Sequence, residues 1–424
     1  MSTTESAVTV GGTSSSTTLA EDRDYLSRQL ITCIGNKRSL LDPIQQAVLY
    51  VSRRLGSPRL RILDAFAGSG VVSRLFKQYA SELISNDLEE YARVIAECYL
   101  TNRSSVPFDE LRDWHERIVK SAAALPVRDG FVRRLYAPAD DRSIQPGERA
   151  FYTVDNAMRI DSLRWLIDQA PHGLRSFLLA PLLSEASIHA NTSGVFKGFY
   201  KDDRGIGCYG GKNRDALRRI LGPVELPFPL FSRFECAVRV CQADANVLVR
   251  QLKGLDLAYF DPPYNQHPYG SNYFMLNLIV ANREPQRISD VAGIPTDWQR
   301  SRYNRRREAA AALEDLIDHT DASHILISYN SEGFISREAF TELLARHGKV
   351  RVMEMTYNAF RGSRNLRKRP MYVREQLFLL ERSSRFRPTT DSRTLAGRDA
   401  QLRPTPHDFN GDDHVAQSTF ASGD

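Results

Sequence analysis

Cysteine is scarce, with five in 424 residues, at positions 33, 98, 208, 236 and 241. No two stand at Cys-x-x-Cys spacing and no histidines follow at zinc-finger spacing, so neither a disulfide framework nor a structural metal site is expected, and a reducing cytoplasm fits best. No apolar run approaches the roughly 20 residues that span a bilayer. The first residues lack the basic and apolar regions of a signal peptide, which predicts a soluble protein that stays where it is made. Repeats of solenoid or propeller length are absent. Neither sign of charge dominates: the net is +6 and the isoelectric point about 9.0, compatible with a polyanionic partner but too mild to indicate one. What is present is ample apolar material, 42% of residues, enough for one large domain or a domain with an insertion.

Residues 1–22 are rich in Ser, Thr and Gly, and 383–424 are polar with scattered Pro and Gly, so both ends read as disordered tails. Asp42 and Pro43 followed by Ile44, Val48, Val51 and Leu55 have the N-cap, first-turn proline and apolar spacing of an amphipathic helix. Residues 59–66 then read as a strand, 67–70 as a tight turn, 71–80 as a helix and 81–87 as a second strand, which makes a βαβ unit. Apolar runs at 254–260, 323–329, 350–357 and 375–380, with a helical stretch near 307–319, look like further strands of the same sheet. Between 101 and 234 the pattern changes to short helices and loops bearing Gly, Asn and Arg. The expected architecture is therefore α/β, with one sheet domain formed by 23–100 and 235–382 and an inserted region at 101–234.

The first chemical signal is the run Asp64, Ala65, Phe66, Ala67, Gly68, Ser69, Gly70 at the end of the first strand. Its glycines let backbone approach a ligand at the carboxyl edge of a parallel sheet. Asp87 ends the next strand, where a carboxylate can accept hydrogen bonds from both ribose hydroxyls of a nucleoside. Glycine turns also serve NAD enzymes or simply turn the chain, and Asp87 would serve equally as a solvated helix cap. The second signal is Asp261, Pro262, Pro263 and Tyr264, directly after an apolar strand. Two prolines supply no N–H and hold an extended turn, leaving the Pro262 carbonyl free to face a substrate. Acceptance of an aromatic amine's hydrogens by the Asp261 carboxylate and that carbonyl would draw the nitrogen out of conjugation and aim its lone pair at a methyl donor. Tyr264 is placed to stack on the base.

With these motifs in this order, and Cys33, Ile34, Gly35, Asn36 and Lys37 ahead of the first strand, the chain resembles the Dam-like, D12 class of adenine-N6 DNA methyltransferases over residues 29–382. The resemblance implies a Rossmann-like sheet binding S-adenosylmethionine, with an inserted target-recognition domain. It implies Asp261, Pro262, Pro263 and Tyr264 as catalytic. Its cofactor set is Cys33, where many members carry an aromatic residue, with Gly35, Lys37, Asp64, Phe66, Gly68, Asp87, Asp244 and the edge of Asp261. Lys37 is expected at the methionyl end of the cofactor. Asp244 reads equally as a contact to the cofactor adenine and as a strand-end cap. Residues 189–196 resemble a segment of one branch of the family, with DNA contact and folding of the insertion as equal readings.

The partner implied is double-stranded DNA, and whether a restriction endonuclease accompanies the enzyme stays open. Arg361, Arg364, Arg367, Lys368 and Arg369 read as phosphate contacts near the carboxyl edge. For the arginines of 300–307, phosphate contact and solvated surface stay open. Rival readings are cytosine-N4 or RNA-adenine methylation, and a non-catalytic nucleic-acid-binding protein that keeps the fold. No Pro-Cys pair occurs, which argues against covalent C5-cytosine chemistry.

Overall fold

The computed structural model describes residues 20–32, 37–124, 129–211, 213–358 and 372–382. Seven strands form one sheet: β1 (Leu60–Asp64), β2 (Ala80–Asp87), β3 (Ala237–Gln242), β4 (Leu255–Phe260), β5 (Ala322–Asn330), β6 (Gly348–Asn358) and β7 (Tyr372–Arg382). Their order is β3-β2-β1-β4-β5-β7-β6. All neighbours are parallel except β7, which runs antiparallel to both β5 and β6. This is a Rossmann-like sheet with an antiparallel strand inserted near one edge. Its order reverses between β1 and β4, and ligands collect in the crevice at such a point. Register places Asp64 beside Tyr259, and the Ala65 N–H donates to the Tyr259 carbonyl at 3.0 Å. The glycine turn and the Asp261 tetrapeptide therefore leave the sheet side by side.

Both faces of the sheet are covered, which is why the strands read as near-continuous apolar runs. The helix Leu41–Leu55 buries Ile44, Ala47, Val48 and Val51, and Gly56 at φ 67° ends it. Only glycine adopts that left-handed conformation freely. Asp42 is not its N-cap. The 3-10 turn Lys37–Leu40 runs straight into the helix, so Leu40 is the capping position and Asp42 falls in the first turn, where a negative charge meets the positive end of the helix dipole. The helix after the glycine turn, Val71–Phe76, stops short of residue 80 because Ala80 already belongs to β2.

Residues 101–234 contribute no strand among the described residues and contain the helices Phe108–Ala124, Val154–Ile167 and His172–Ile188. These are longer than the short helices expected from sequence. The reason lies in burial: His172–Ile188 is apolar on nearly all sides, burying Leu174, Phe177, Leu178, Leu179, Leu182 and Leu183. A helix without a polar face shows little amphipathic periodicity to read. Its core is continuous with Tyr91 and Ile95 of the helix Glu90–Leu100 and with Phe274 and Ile279 of Phe274–Ala281. The region therefore packs onto one flank of the sheet domain through a shared core. The expected tail at 1–22 is also too long. Asp22 caps the helix Arg23–Ser27, and Glu21 accepts from Ser232 Oγ and the Arg233 N–H. Residues 1–19 and 383–424 lie outside the described residues. Among the described residues no helix is long and apolar enough to cross a membrane.

Candidate active site

A cleft with about 920 Å³ of empty space, its open mouth included, lies over the carboxyl ends of β1, β2, β3 and β4. Its floor is the turn after β1. Gly68 and Gly70 stand at φ 53° and 73°, a conformation costly for other residues, and the Gly68 N–H donates to Asp87 Oδ2 at 2.8 Å. Asp87 Oδ1 accepts from the Glu89 N–H at 2.9 Å. Asp87 does not cap the following helix, which begins at Glu90 with Glu89 as its N-cap. It clamps the glycine turn while lining the cleft, and burial raises its pKa.

Asp244, just after β3, is a helix cap that also faces the cleft. Oδ1 caps the helix Ala245–Val249 by accepting from the Asn246 N–H at 2.9 Å and the Val247 N–H at 3.3 Å, and the residue also lines the cleft. Phe66 lines the wall and meets Tyr303 edge to face, ring centres 5.4 Å apart.

Asp64 corrects an expectation. It is fully buried and is not part of the cleft wall. Its carboxylate accepts from Ser73 Oγ at 2.6 Å, and burial pushes its pKa up to about 7. Its work is to pin the helix after the glycine turn to the end of β1.

At the mouth the Lys37 ammonium, 4% exposed, lies 3.0 Å from Asp261 Oδ1 and 2.9 Å from Glu375 Oε1. Two of its three donors are thus engaged by carboxylates. Glu375, on β7 and fully buried, also accepts from Ser328 Oγ at 2.6 Å and Asn330 Nδ2 at 3.0 Å, both on β5. Burial favours protonation of both carboxylates. At Glu375 the lysine and the two donors outweigh it and hold the carboxyl below its ordinary value. At Asp261 burial wins, opposed by Lys37 and reinforced by the Glu375 charge, and its pKa rises to about 6. The lysine is locked in its charged form by the two carboxylates despite its own burial.

A model of the D12 class of N6 adenine-specific DNA methyltransferases matches residues 34–343. The chain belongs to this family. It is 29% identical over 360 residues to the type II methyltransferase M.NlaIII of Neisseria lactamica, spanning 82% of this chain and 99% of that one. Its identity to the type II methyltransferase M.CviAII of Paramecium bursaria Chlorella virus 1 is 31% over 339 residues, covering 78% and 92%. With the type II methyltransferase M.FokI of Planomicrobium okeanokoites it shares 27% over 342 residues, which is 78% of this chain and 49% of that relative.

Of the methyltransferase's tetrapeptide, Asp261 and Pro263 line the cleft, whereas Pro262 and Tyr264 do not. Pro262 is buried. The Tyr264 ring is turned toward β5, edge-on to Tyr329 at 6.4 Å, and its carbonyl accepts from the Phe334 N–H at 3.1 Å. The cleft proper is thus bounded on the β1 side of the tetrapeptide, and Tyr264 stands on the other side of Asp261. Cys33 and Gly35 lie outside the described residues, as do Arg361, Arg364, Arg367, Lys368 and Arg369. In residues 189–196 several polar groups are engaged within the fold. Asn191 Nδ2 donates to the carbonyls of Ala150 and Cys208 at 2.8 and 2.9 Å, and the Phe196 N–H donates to the Asn272 carbonyl at 2.7 Å.

Two acidic residues escaped the sequence reading. Glu375 is flanked by Arg374 and Gln376 ahead of the apolar stretch 377–380, so nothing adjacent to it marks it as buried. Glu89, two residues after Asp87, lines the cleft, accepts from Asn277 Nδ2 at 2.6 Å and is pushed up to about 7 by burial and by Asp87.

Proposed function

We propose that this DNA methyltransferase transfers the methyl group of S-adenosylmethionine to the exocyclic N6 of an adenine flipped out of duplex DNA. In this reading residues 101–234 recognise the target sequence, and the enzyme is the modification partner of a restriction endonuclease, in keeping with its type II relatives. The observation that carries the reading is the Lys37 bridge, which holds the Asp261 carboxylate against a cleft lined by Gly68, Asp87 and Asp244.

The cleft suits the cofactor. Asp87 and Asp244 present carboxylates to it from the ends of adjacent strands, suited to ribose hydroxyls and to an amino-purine edge, and Gly68 offers backbone with no side chain in the way. When bound, S-adenosylmethionine supplies a methyl group on a positively charged sulfur. Asp261 accepts a hydrogen of the target amine, which localises the nitrogen lone pair and directs it at that methyl group. On transfer the new N–C bond would replace the C–S bond, whose electron pair would stay on sulfur, and the Asp261 carboxylate would take the proton that the nitrogen releases. With a pKa near 6, Asp261 is ionised at neutral pH and able to accept. Lys37 and Glu375 fix where its oxygens point.

The purified protein should label duplex DNA from methyl-labelled S-adenosylmethionine, and digestion to nucleosides should release the label as N6-methyladenosine in its deoxy form. Label appearing as N4-methylcytosine, or in RNA alone, would overturn the adenine assignment. In the same preparation Asp87→Ala should weaken cofactor binding by about 10-fold or more, because a charge-assisted hydrogen bond contributes about 1.5–3 kcal/mol and the clamp on Gly68 goes with it. Calorimetry decides this, and unchanged affinity would remove Asp87 from the cofactor site.

A further inference from the structure

The arginines at 300, 302, 305, 306 and 307 have no part in the reading above, on which the following inference rests. Along this segment two sets of residues interleave. Gln299, Ser301, Tyr303 and Asn304 line the cleft, while Arg300, Arg302, Arg305, Arg306 and Arg307 are exposed. The segment is one wall of the cleft, with its guanidinium groups on the outside.

That wall is fixed at both sides of the mouth. The buried Tyr303 donates its one hydroxyl hydrogen to Asn246 Oδ1 at 2.8 Å, with the Ala312 carbonyl 3.2 Å from the same oxygen. Asn304 Nδ2 donates to the carbonyl of Asn265, directly after the tetrapeptide, at 2.8 Å. Residues 297–308 hold five arginines against Asp297 and Glu308, a net +3. Glu308 takes up Arg305 at 2.9 Å and lies 3.9 Å from Arg302. Arg300 sits over the Trp298 ring, 4.4 Å from its centre. Among the described residues Arg300, Arg306 and Arg307 have no ion-pair partner.

Local structure gives no reason for the charges of Arg306 and Arg307, which have no ion-pair partner among the described residues. They stand just before the helix Ala309–His319, and cations at a helix N-terminus oppose its dipole. We infer that residues 298–307 form an arginine rim that docks the DNA backbone on either side of the flipped base. A base drawn into the cleft brings its own phosphates to this rim, and guanidinium groups match phosphate oxygens in geometry as well as charge.

The test is a salt titration of binding to two short duplexes, one carrying the site mapped by methylation sequencing and one scrambled. The full chain is compared with a variant carrying Arg300→Ala, Arg306→Ala and Arg307→Ala. The variant should bind both duplexes more weakly, with a salt slope flatter by about 0.9 for each phosphate contact removed. Its affinity for S-adenosylmethionine by calorimetry should match wild type, since these side chains face away from the cleft. Lysine at the same three positions should restore most of the slope, which a folding defect would not allow. Wild-type affinity and slope in the alanine variant would overturn the inference, as would lost discrimination between duplexes with an unchanged slope, which would make the rim a reader of bases. Failure of the wild-type chain to bind duplex DNA would overturn the functional reading as well.

Discussion

Asp261→Ala should lower the single-turnover rate of methyl transfer by on the order of 100-fold or more, the usual cost of removing one preorganised acceptor from a reacting centre. DNA affinity should stay near wild type, because phosphate contacts lie elsewhere. The fold should survive, since Lys37 keeps Glu375 at 2.9 Å as its counterion and no buried charge is left uncompensated. The same carboxylate sets the acid limb of the wild-type rate. Because its pKa is raised to about 6, the protonated, non-accepting form dominates below that pH, and activity should fall as pH drops through it. A variant with a near-normal single-turnover rate would remove Asp261 from the mechanism.

Lys37→Met should have the second large effect, and it should appear in stability as well as rate. The substitution removes the cation between Asp261 and Glu375 and leaves two desolvated carboxylates facing each other. Breaking a buried pair in this way costs about 3–5 kcal/mol, readable in chemical denaturation. One carboxylate should take up a proton to relieve the repulsion. That one is Asp261, because Glu375 retains Ser328 and Asn330 as donors. The acid limb should then move upward from about 6, so that activity lost at neutral pH returns in part on raising the pH. Glu375→Gln supplies the opposite sign. It keeps the lysine and removes the charge that raises Asp261, so the limb should move to lower pH. An acid limb that stays in place in both variants would show that the lysine bridge does not control Asp261.

The parts of the site legible in the sequence share a property: each is a local demand on the backbone or on its immediate neighbours. Gly68 and Gly70 announce left-handed turns, consecutive prolines after Asp261 announce an extended strand exit, and Asp87 ends its strand. Even there the local reading was incomplete. It placed Asp64 against the cofactor, whereas burial turned that carboxylate to Ser73, and it placed Tyr264 over the site, whereas the ring packs toward Tyr329. Direction of a side chain at a strand end depends on what covers the sheet, and the covering segments come from elsewhere in the chain.

By itself the sequence determined the α/β class, the βαβ unit, the strand that delivers Asp261, and the residues on which the proposed methyl transfer rests. Those follow from period, glycine and proline, which act between near neighbours. Only the tertiary structure decided that β7 inserts antiparallel between β5 and β6, bringing Glu375 to Lys37. It alone decided that the helices of 101–234 share a core with the sheet domain, and that the arginines of 300–307 stand outside the wall of the cleft. Each of these depends on contacts between segments far apart in the chain. The charge states they set depend on how much water those contacts exclude, which no run of adjacent residues encodes.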